Sequence, residues 1–159
     1  NSAEKDGGSI YCIDASPTIV NCIFAANSAG QDGGGIGSVR SLPIITNCVF
    51  SENSASNGMA VACNKPGSPS SVTISHCILW GGIDEIYNSD NSTISVHHSD
   101  FDPVGSGTYT GTGNINADPQ WVNPGSGDFH LKSTSPCIDA GSNSAILVTG
   151  VTRDFMVIP

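Results

Sequence analysis

Basic residues are scarce in this sequence. Lys and Arg together number 5, against 14 Asp and Glu, which leaves a formal net charge of −9 at pH 7. A protein this acidic is repelled by a phosphate backbone and by an anionic bilayer surface, so we expect no nucleic-acid partner. Long apolar runs are also missing, since no stretch approaches the roughly eighteen residues that a membrane span needs. We therefore expect no membrane insertion.

Charged residues make up only 12% of the chain, while hydrophobic residues make up 38%. Much of the remainder is Gly, Ser, Asn and Thr, which favours strands and turns over helices. The apolar fraction is too high for a disordered chain, and 159 residues suffice for one domain with a sizeable core. The first residues, NSAEKDGG, lack the basic and apolar regions of a signal peptide, so we expect any export signal upstream.

The sequence repeats itself with a period of 26 residues. Residues 1–29 aligned with residues 27–55 share fifteen identical positions, including the segments DGG, NC and NSA. The pattern continues more loosely to residue 101. This periodicity predicts about four coils of a repeat structure.

The apolar positions within each repeat indicate how one coil bends. Ile19, Cys22 and Phe24 follow one another with a step of three and then a step of two. A straight strand alternates with period two, so the chain must bend after the first of these residues. Leucine-rich repeats have a different framework and helical repeats are longer, about 33 residues or more. We therefore expect bent coils that stack in parallel, which is a parallel β-helix.

Stacked coils bring equivalent residues to within about 4.8 Å of each other, so each repeated position becomes a ladder. Asn27 and Asn53 would form an amide ladder at one corner, and the Gly7-Gly8 and Gly33-Gly34 pairs would serve a corner that needs positive φ. The predicted interior ladders contain Cys22, Cys48 and Cys77, and Ile10, Ile36, Val61 and Ile86.

The segments GGGI, SPTIVNCIF and NSAGQDGGG resemble the coils of right-handed parallel β-helix repeat proteins in the pectin-lyase-like superfamily, especially bacterial surface and secreted proteins. The segment NINADPQWVNPGSGDFHLKSTSPCIDAG, residues 114–141, is similar to the C-terminal closing segment of many of them. The resemblance implies an all-β, three-sided, right-handed parallel β-helix with coils in residues 1–104. Residues 105–159 would then be the closing segment and tail of the same domain. It also implies an extracellular or cell-surface location.

Because Asn1 aligns with the middle of a coil, we expect further coils upstream as stacking partners.

Six cysteines in an exported protein suggest disulfides. The ladder geometry argues against bridges among Cys22, Cys48 and Cys77, because parallel side chains about 4.8 Å apart exceed the Cβ spacing of a disulfide. We expect these to be buried thiols. The sequence leaves open the disulfide state of Cys12, Cys63 and Cys137.

The most concentrated polar group is HHSDFD, residues 97–102. With Ser99 and Phe101 inward, His98, Asp100 and Asp102 point outward together, and the register places His76 beside His98. We expect no cofactor and no catalytic residue here. If the cluster does act, His76, His98, Asp100 and Asp102 are the candidates for acid–base catalysis, and His98, Asp100 and Asp102 are the candidate ligands of a metal such as Ca²⁺. The alternative is a polar corner ladder that needs no ligand, in the column that also holds Asn21 and Asn47.

Trp80 lies on the outward side of the third coil, next to Asp102. An exposed indole beside carboxylates is a candidate sugar platform, although Trp80 could equally pack beneath a loop. Outward residues Ile23, Val49 and Ile78 form an apolar column that we expect to be covered. The candidates are residues 145–148 with residues 155–158, or a second subunit.

These observations favour a non-catalytic extracellular module of a larger surface or secreted protein, acting as a rigid spacer, an adhesin or a glycan-contacting surface. The alternative is the C-terminal fragment of a polysaccharide lyase or hydrolase. A polysaccharide or glycan is a candidate partner, beside the upstream coils of the parent protein. Arg40 would face Asp14 of the preceding coil, which we interpret as a surface salt bridge.

Overall fold

The computed structural model describes residues 1–103 and 108–142, and these residues form sixteen strands, β1 to β16, and one short 3-10 helix, Pro124–Ser126. The first eight strands are β1 (Ser2–Ala3), β2 (Ile10–Ile13), β3 (Thr18–Val20), β4 (Ile23–Ala25), β5 (Ser28–Ala29), β6 (Ile36–Val39), β7 (Ile44–Thr46) and β8 (Val49–Ser51). The last eight are β9 (Val61–Cys63), β10 (Ser71–Ser75), β11 (Ile78–Trp80), β12 (Ile86–Asn88), β13 (Thr93–His97), β14 (Asp100–Phe101), β15 (Trp121–Asn123) and β16 (Asp128–Leu131).

Three parallel sheets of four strands each build the body of the protein. The first sheet has the order β12-β9-β6-β2, the second β13-β10-β7-β3 and the third β14-β11-β8-β4. Each coil contributes one strand to each sheet, so the chain is a three-sided parallel β-helix of about four coils. The fold class predicted from the repeat is confirmed.

Residues in the left-handed region turn the chain at the corner between the second and third sheets. Asn21, Asn47, His76 and His98 occupy this corner in successive coils, with φ between 47° and 55°. The residue at this corner position supplies the bend that the spacing of the apolar residues, a step of three and then a step of two, requires. Asn tolerates the conformation better than most residues because its short polar side chain bonds locally. At another corner Gly7 and Gly33 have φ of 66° and 69°, as expected.

The interior is filled by ladders of like side chains. Ile10, Ile36, Val61 and Ile86 are paired in register across the first sheet, as predicted. The rings of Phe24 and Phe50 stack with centroids 4.7 Å apart, and both side chains are buried. Adjacent coils therefore present matching shapes to each other, which packs the core without mixing large and small residues in one column.

The thiols of the corner ladder serve as hydrogen-bond donors. The Sγ atoms of Cys22, Cys48 and Cys77 each donate to the carbonyl oxygen two residues earlier, over 3.3, 3.2 and 3.2 Å respectively. All six cysteines of the chain are free, including Cys12, Cys63 and Cys137. The expectation of unbridged thiols in this ladder is confirmed.

The amide ladder forms where it was predicted. The Oδ1 of Asn53 accepts hydrogen bonds from the Asn27 backbone N–H at 3.0 Å and from the Asn27 Nδ2 at 2.9 Å. The Asn53 Nδ2 in turn donates to the Phe24 carbonyl oxygen at 2.8 Å. Both side chains are buried, so these bonds satisfy turn groups that water does not reach.

The closing segment folds back over the outer face of the third sheet. Its antiparallel hairpin β15–β16 and Cys137 cover Val49 and Ile78, whose outward side chains become buried against Trp121. Ile23, in the same column, remains 47% exposed. Residues 145–148 and 155–158, one of the two candidates for the cover, lie outside the described residues.

The surface ion pair also forms as predicted. The guanidinium group of Arg40 contacts the Asp14 carboxylate through Nε and Nη2, each at 2.7 Å. The hydrogen bond from Arg40 lowers the pKa of Asp14. Both side chains are exposed, so this pair links two coils without a large effect on stability.

Candidate functional site

Trp80 is the last residue of β11 and points away from the interior of the β-helix. In the third sheet it pairs with Ser51 of β8 and is therefore flanked by a small side chain. Trp80 is partly buried because one part of it packs against the apolar cluster formed by Val49, Ile78 and Trp121. Both interpretations of Trp80, the exposed sugar platform and the residue packed beneath a loop, therefore apply in part. Trp80 packs against the closing segment and still retains exposed surface.

A groove of about 400 Å³ opens beside Trp80, between the third sheet and the closing segment. This volume falls within the range of roughly 300 to 1,000 Å³ that small-molecule sites occupy. Two indole side chains and several polar groups surround it. The lining residues are Ser51, Glu52, Trp80, Gly81, Asp118, Gln120, Trp121, Pro124 and Lys132.

Hydrogen bonds hold the closing-segment wall of the groove in place. The Asp118 Oδ1 accepts from the Gln120 backbone N–H at 2.8 Å, and the Gln120 Oε1 accepts from the Thr134 hydroxyl at 2.6 Å. The indole of Trp121 is 7% exposed and meets the Phe129 ring edge-on, with centroids 5.0 Å apart. The wall is therefore preorganised rather than a loose loop.

A smaller hollow of about 160 Å³ lies on the other side of Trp80 and Gly81. Its remaining lining residues are Leu79, Gly82, Glu85 and Asp102. Trp80 and Gly81 line both spaces, so the groove and the hollow adjoin the same indole. Asp102, which we had placed beside Trp80 from the sequence, does lie there.

Glu85 is a buried carboxyl at this hollow, with only 3% of its surface exposed. Its Oε1 accepts a hydrogen bond from the Gly82 backbone N–H at 2.5 Å. Burial raises the pKa of Glu85 to about 7, with the Gly82 bond acting in the opposite direction and the charges of Asp84 and Asp102 adding to the rise. Glu85 is therefore partly protonated near neutral pH.

The histidine ladder forms as the register required. The rings of His76 and His98 stack with centroids 5.6 Å apart, and the His76 Nε2 lies 3.1 Å from the Ser142 carbonyl oxygen. Both histidines occupy the left-handed corner positions of their coils, in line with Asn21 and Asn47. This placement matches the polar corner ladder.

Asp100 does not join the predicted cluster with His98 and Asp102. Its side chain is fully buried beneath the closing segment, where its Oδ2 accepts from the Cys137 Sγ at 2.9 Å and its Oδ1 from the Ala117 N–H at 3.1 Å. Burial raises the pKa of Asp100, while these two bonds lower it in part. Period-two alternation gave its direction correctly but not the segment that covers it.

Within residues 1–103 and 108–142, no group of three or more His, Cys, Asp or Glu side chains is arranged to hold a metal ion. The predicted ligand set of His98, Asp100 and Asp102 is thus not assembled, because Asp100 bonds to the closing segment. The structure instead brings Trp80 and Asp102 together with Glu85.

Sequence reasoning missed the carboxylates Glu52, Glu85 and Asp118. Glu52 and Asp118 are far apart in the chain, and they line the same groove only because the closing segment folds back over the third sheet. The Gly81-Gly82 pair after Trp80 was the one local signal of a tight turn near Glu85.

In the described part of the chain, no helix is long and apolar enough to cross a membrane. Comparisons of the chain with protein-family models, with curated proteins and with solved structures found no match.

Proposed function

We propose that this chain is a non-catalytic extracellular module of a larger surface or secreted protein and that it contacts glycans through the groove beside Trp80. The observation that carries the proposal is an indole with exposed surface between two adjoining spaces of about 400 and 160 Å³. The larger space lies between the outer face of the third sheet and the closing segment.

The chemistry of the groove suits a sugar. A pyranose ring offers an apolar face and a rim of hydroxyl groups, and it needs a flat apolar surface with hydrogen-bonding groups beside it. Trp80 supplies that surface, because an indole combines a large apolar body with a polar edge. Glu52 and Asp118 supply acceptors for hydroxyl protons, and Lys132 supplies a donor.

The scaffold suits a surface that must keep its shape. Parallel strands from four successive coils build the third sheet, and the closing segment is anchored through the buried pair of Asp100 and Cys137. A site on such elements is positioned more precisely than one on loops. A spacer or adhesin built from these coils would present the groove outward at a fixed orientation.

Direct binding measurements test this proposal. We expect the intact chain to bind members of a panel of soluble oligosaccharides in isothermal titration calorimetry, and the Trp80→Ala variant to lose that binding by roughly tenfold or more. Trp80→Phe keeps an aromatic face and should retain part of it. Absence of binding to every saccharide in the panel would refute the proposal.

Trp80 also packs against the closing segment, so its removal needs a matched control. Tyr11→Ala removes an aromatic side chain that is 40% exposed on the first sheet, away from the groove. It should bind like the unaltered chain. The unfolding midpoint of each variant distinguishes loss of the binding surface from loss of the fold.

The buried carboxyl of Glu85 favours a second candidate, hydrolysis of a bound polysaccharide at the smaller hollow. There the protonated form of Glu85, which is partly populated near neutral pH, would donate its proton to the oxygen of the leaving sugar. Asp102 would take a proton from the water whose oxygen attacks the anomeric carbon. Release of new reducing ends, abolished in Glu85→Gln while binding persists, would support this function. If no bound saccharide releases new reducing ends, hydrolysis is refuted and the non-catalytic module remains the proposed function.

A further inference from the structure

The charge of the groove carries an inference that rests on the proposed function and narrows its ligand. Glu52 and Asp118 line the groove, and Glu85 and Asp102 line the adjoining hollow. Among the described residues that line either space, Lys132 is the one cationic side chain. Acidic side chains therefore outnumber basic ones among the described residues on both sides of Trp80. The chain as a whole carries a net charge of −9, which adds to the negative potential there.

The ammonium group of Lys132 does not neutralise the groove carboxylates. Among the described residues, Lys132 forms no ion pair within 4.0 Å of Glu52 or Asp118. Lys132, Glu52 and Asp118 are all exposed side chains. The groove thus keeps two carboxylates that face solvent and any ligand in it.

The two groove carboxylates disfavour acidic polysaccharides as ligands. A uronic acid polymer carries a carboxylate on each residue and would be repelled by the groove. A saccharide with protonated amino groups places its positive charge where the groove is negative, and charge-assisted hydrogen bonds to carboxylates are about twice as strong as neutral ones. We infer that the groove beside Trp80 selects saccharides that carry amino groups, such as glucosamine oligomers.

In this groove Trp80 would supply affinity for the sugar ring, and the two carboxylates would supply selectivity for its charge. The indole would bind the face of a sugar ring whatever its charge, whereas Glu52 and Asp118 would distinguish an amine from its acetylated form. Glucosamine and N-acetylglucosamine oligomers share a backbone and differ in that group alone. Comparing them isolates the electrostatic contribution from the stacking contribution.

The experiment measures binding of three soluble oligomers of equal length to the full chain at about pH 5.5, where the amino groups of the glucosamine ligand carry a proton. They are a glucosamine oligomer, its fully N-acetylated form and an oligogalacturonate. We expect the glucosamine oligomer to bind about tenfold more tightly than the acetylated form and the oligogalacturonate not to bind. Added salt should reduce the preference, because it screens exposed charges.

Charge variants locate the preference. The double variant Glu52→Gln with Asp118→Asn should bind the amine and the acetylated oligomer about equally, because an amide oxygen still accepts a hydrogen bond from a sugar hydroxyl but carries no charge. The control variant Glu4→Gln with Asp139→Asn removes the same number of exposed carboxylates at positions that line neither space, and it should keep the preference.

The outcomes separate this inference from the proposed function. Equal binding of the amine and acetyl forms, or tighter binding of the oligogalacturonate, would overturn the inference while leaving a glycan-contacting groove in place. Equal loss of the preference in both double variants would also overturn it, since the net charge rather than the groove would be responsible. Failure of all three oligomers and of every other saccharide to bind would overturn both.

Discussion

The Sγ of Cys137 donates a hydrogen bond to the Oδ2 of Asp100 over 2.9 Å, and both side chains are fully buried. This contact joins the closing segment to the outer face of the last coil. Burial, together with the adjacent Asp100 carboxyl, raises the pKa of the Cys137 thiol to about 12, so the thiol keeps its proton and remains a donor. The closing segment is thus fastened by a free thiol rather than by a disulfide.

Removal of this donor should destabilise the protein. Cys137→Ala leaves the Oδ2 of Asp100 buried without its partner, and we expect a loss of roughly 1–3 kcal/mol in the free energy of unfolding by urea. Cys137→Ser restores a donor and should lose less. Cys12→Ala serves as the control, because it removes another buried thiol whose pKa is raised by burial alone. Equal losses for the Ala and Ser variants at position 137 would mean that thiol packing matters rather than the bond.

Glu85 should make stability depend on pH. Its pKa is raised from 4.5 to about 7 in the folded protein, so between these values the folded protein holds a proton that the unfolded chain releases. The contribution of Glu85 is therefore fully present below about pH 4.5 and is lost as the pH rises towards 7, by on the order of 3 kcal/mol.

The Glu85→Gln variant, which cannot titrate at that position, should gain this amount relative to the unaltered chain when urea unfolding at about pH 4.5 is compared with unfolding at about pH 7.5. Glu4→Gln removes an exposed carboxylate and provides the control. A constant difference between Glu85→Gln and the unaltered chain at both pH values would contradict the raised pKa.

The amide ladder predicts that substitution of one buried residue, Asn53, lowers the stability of the protein substantially. Asn53→Ala removes the acceptor of the Asn27 N–H and Nδ2 and the donor to the Phe24 carbonyl, all of them buried. We expect the free energy of unfolding to fall by roughly 2–4 kcal/mol. Asn123→Ala, at an exposed position, should change it by less than about 0.5 kcal/mol. Similar small changes in both variants would show that the ladder does not hold the corner.

The corner residue Asn21 offers a test of backbone strain. It is exposed and has φ of 55°, in the left-handed region. Asn21→Val should cost about 1–2 kcal/mol in thermal or urea unfolding, because a β-branched residue is strained there, whereas Asn21→Gly should be nearly neutral. If Val and Gly proved equally stable at this position, the corner would have to accommodate other conformations.

Much of this protein is determined by the sequence alone. The 26-residue period fixes the stacking register, because side chains such as Phe24 and Phe50 fill the same place in successive coils, and a slip of one residue would turn the apolar side chains outward. The spacing of Ile19, Cys22 and Phe24 likewise fixes a bend at Asn21. These features depend on local pattern and on contacts between equivalent positions, which a repeat makes visible in the chain itself.

The candidate site depended on tertiary structure. Asp100 was predicted to point outward and does, but only the fold shows that Cys137 covers it. Trp80 was predicted beside Asp102, whereas the groove itself arises where the closing segment brings Asp118 and Trp121 opposite Glu52. The closing segment does not repeat, so no register predicts where it docks. Its position follows from burying the outward faces of Val49 and Ile78, a contact between distant parts of the chain that leaves no period in the sequence.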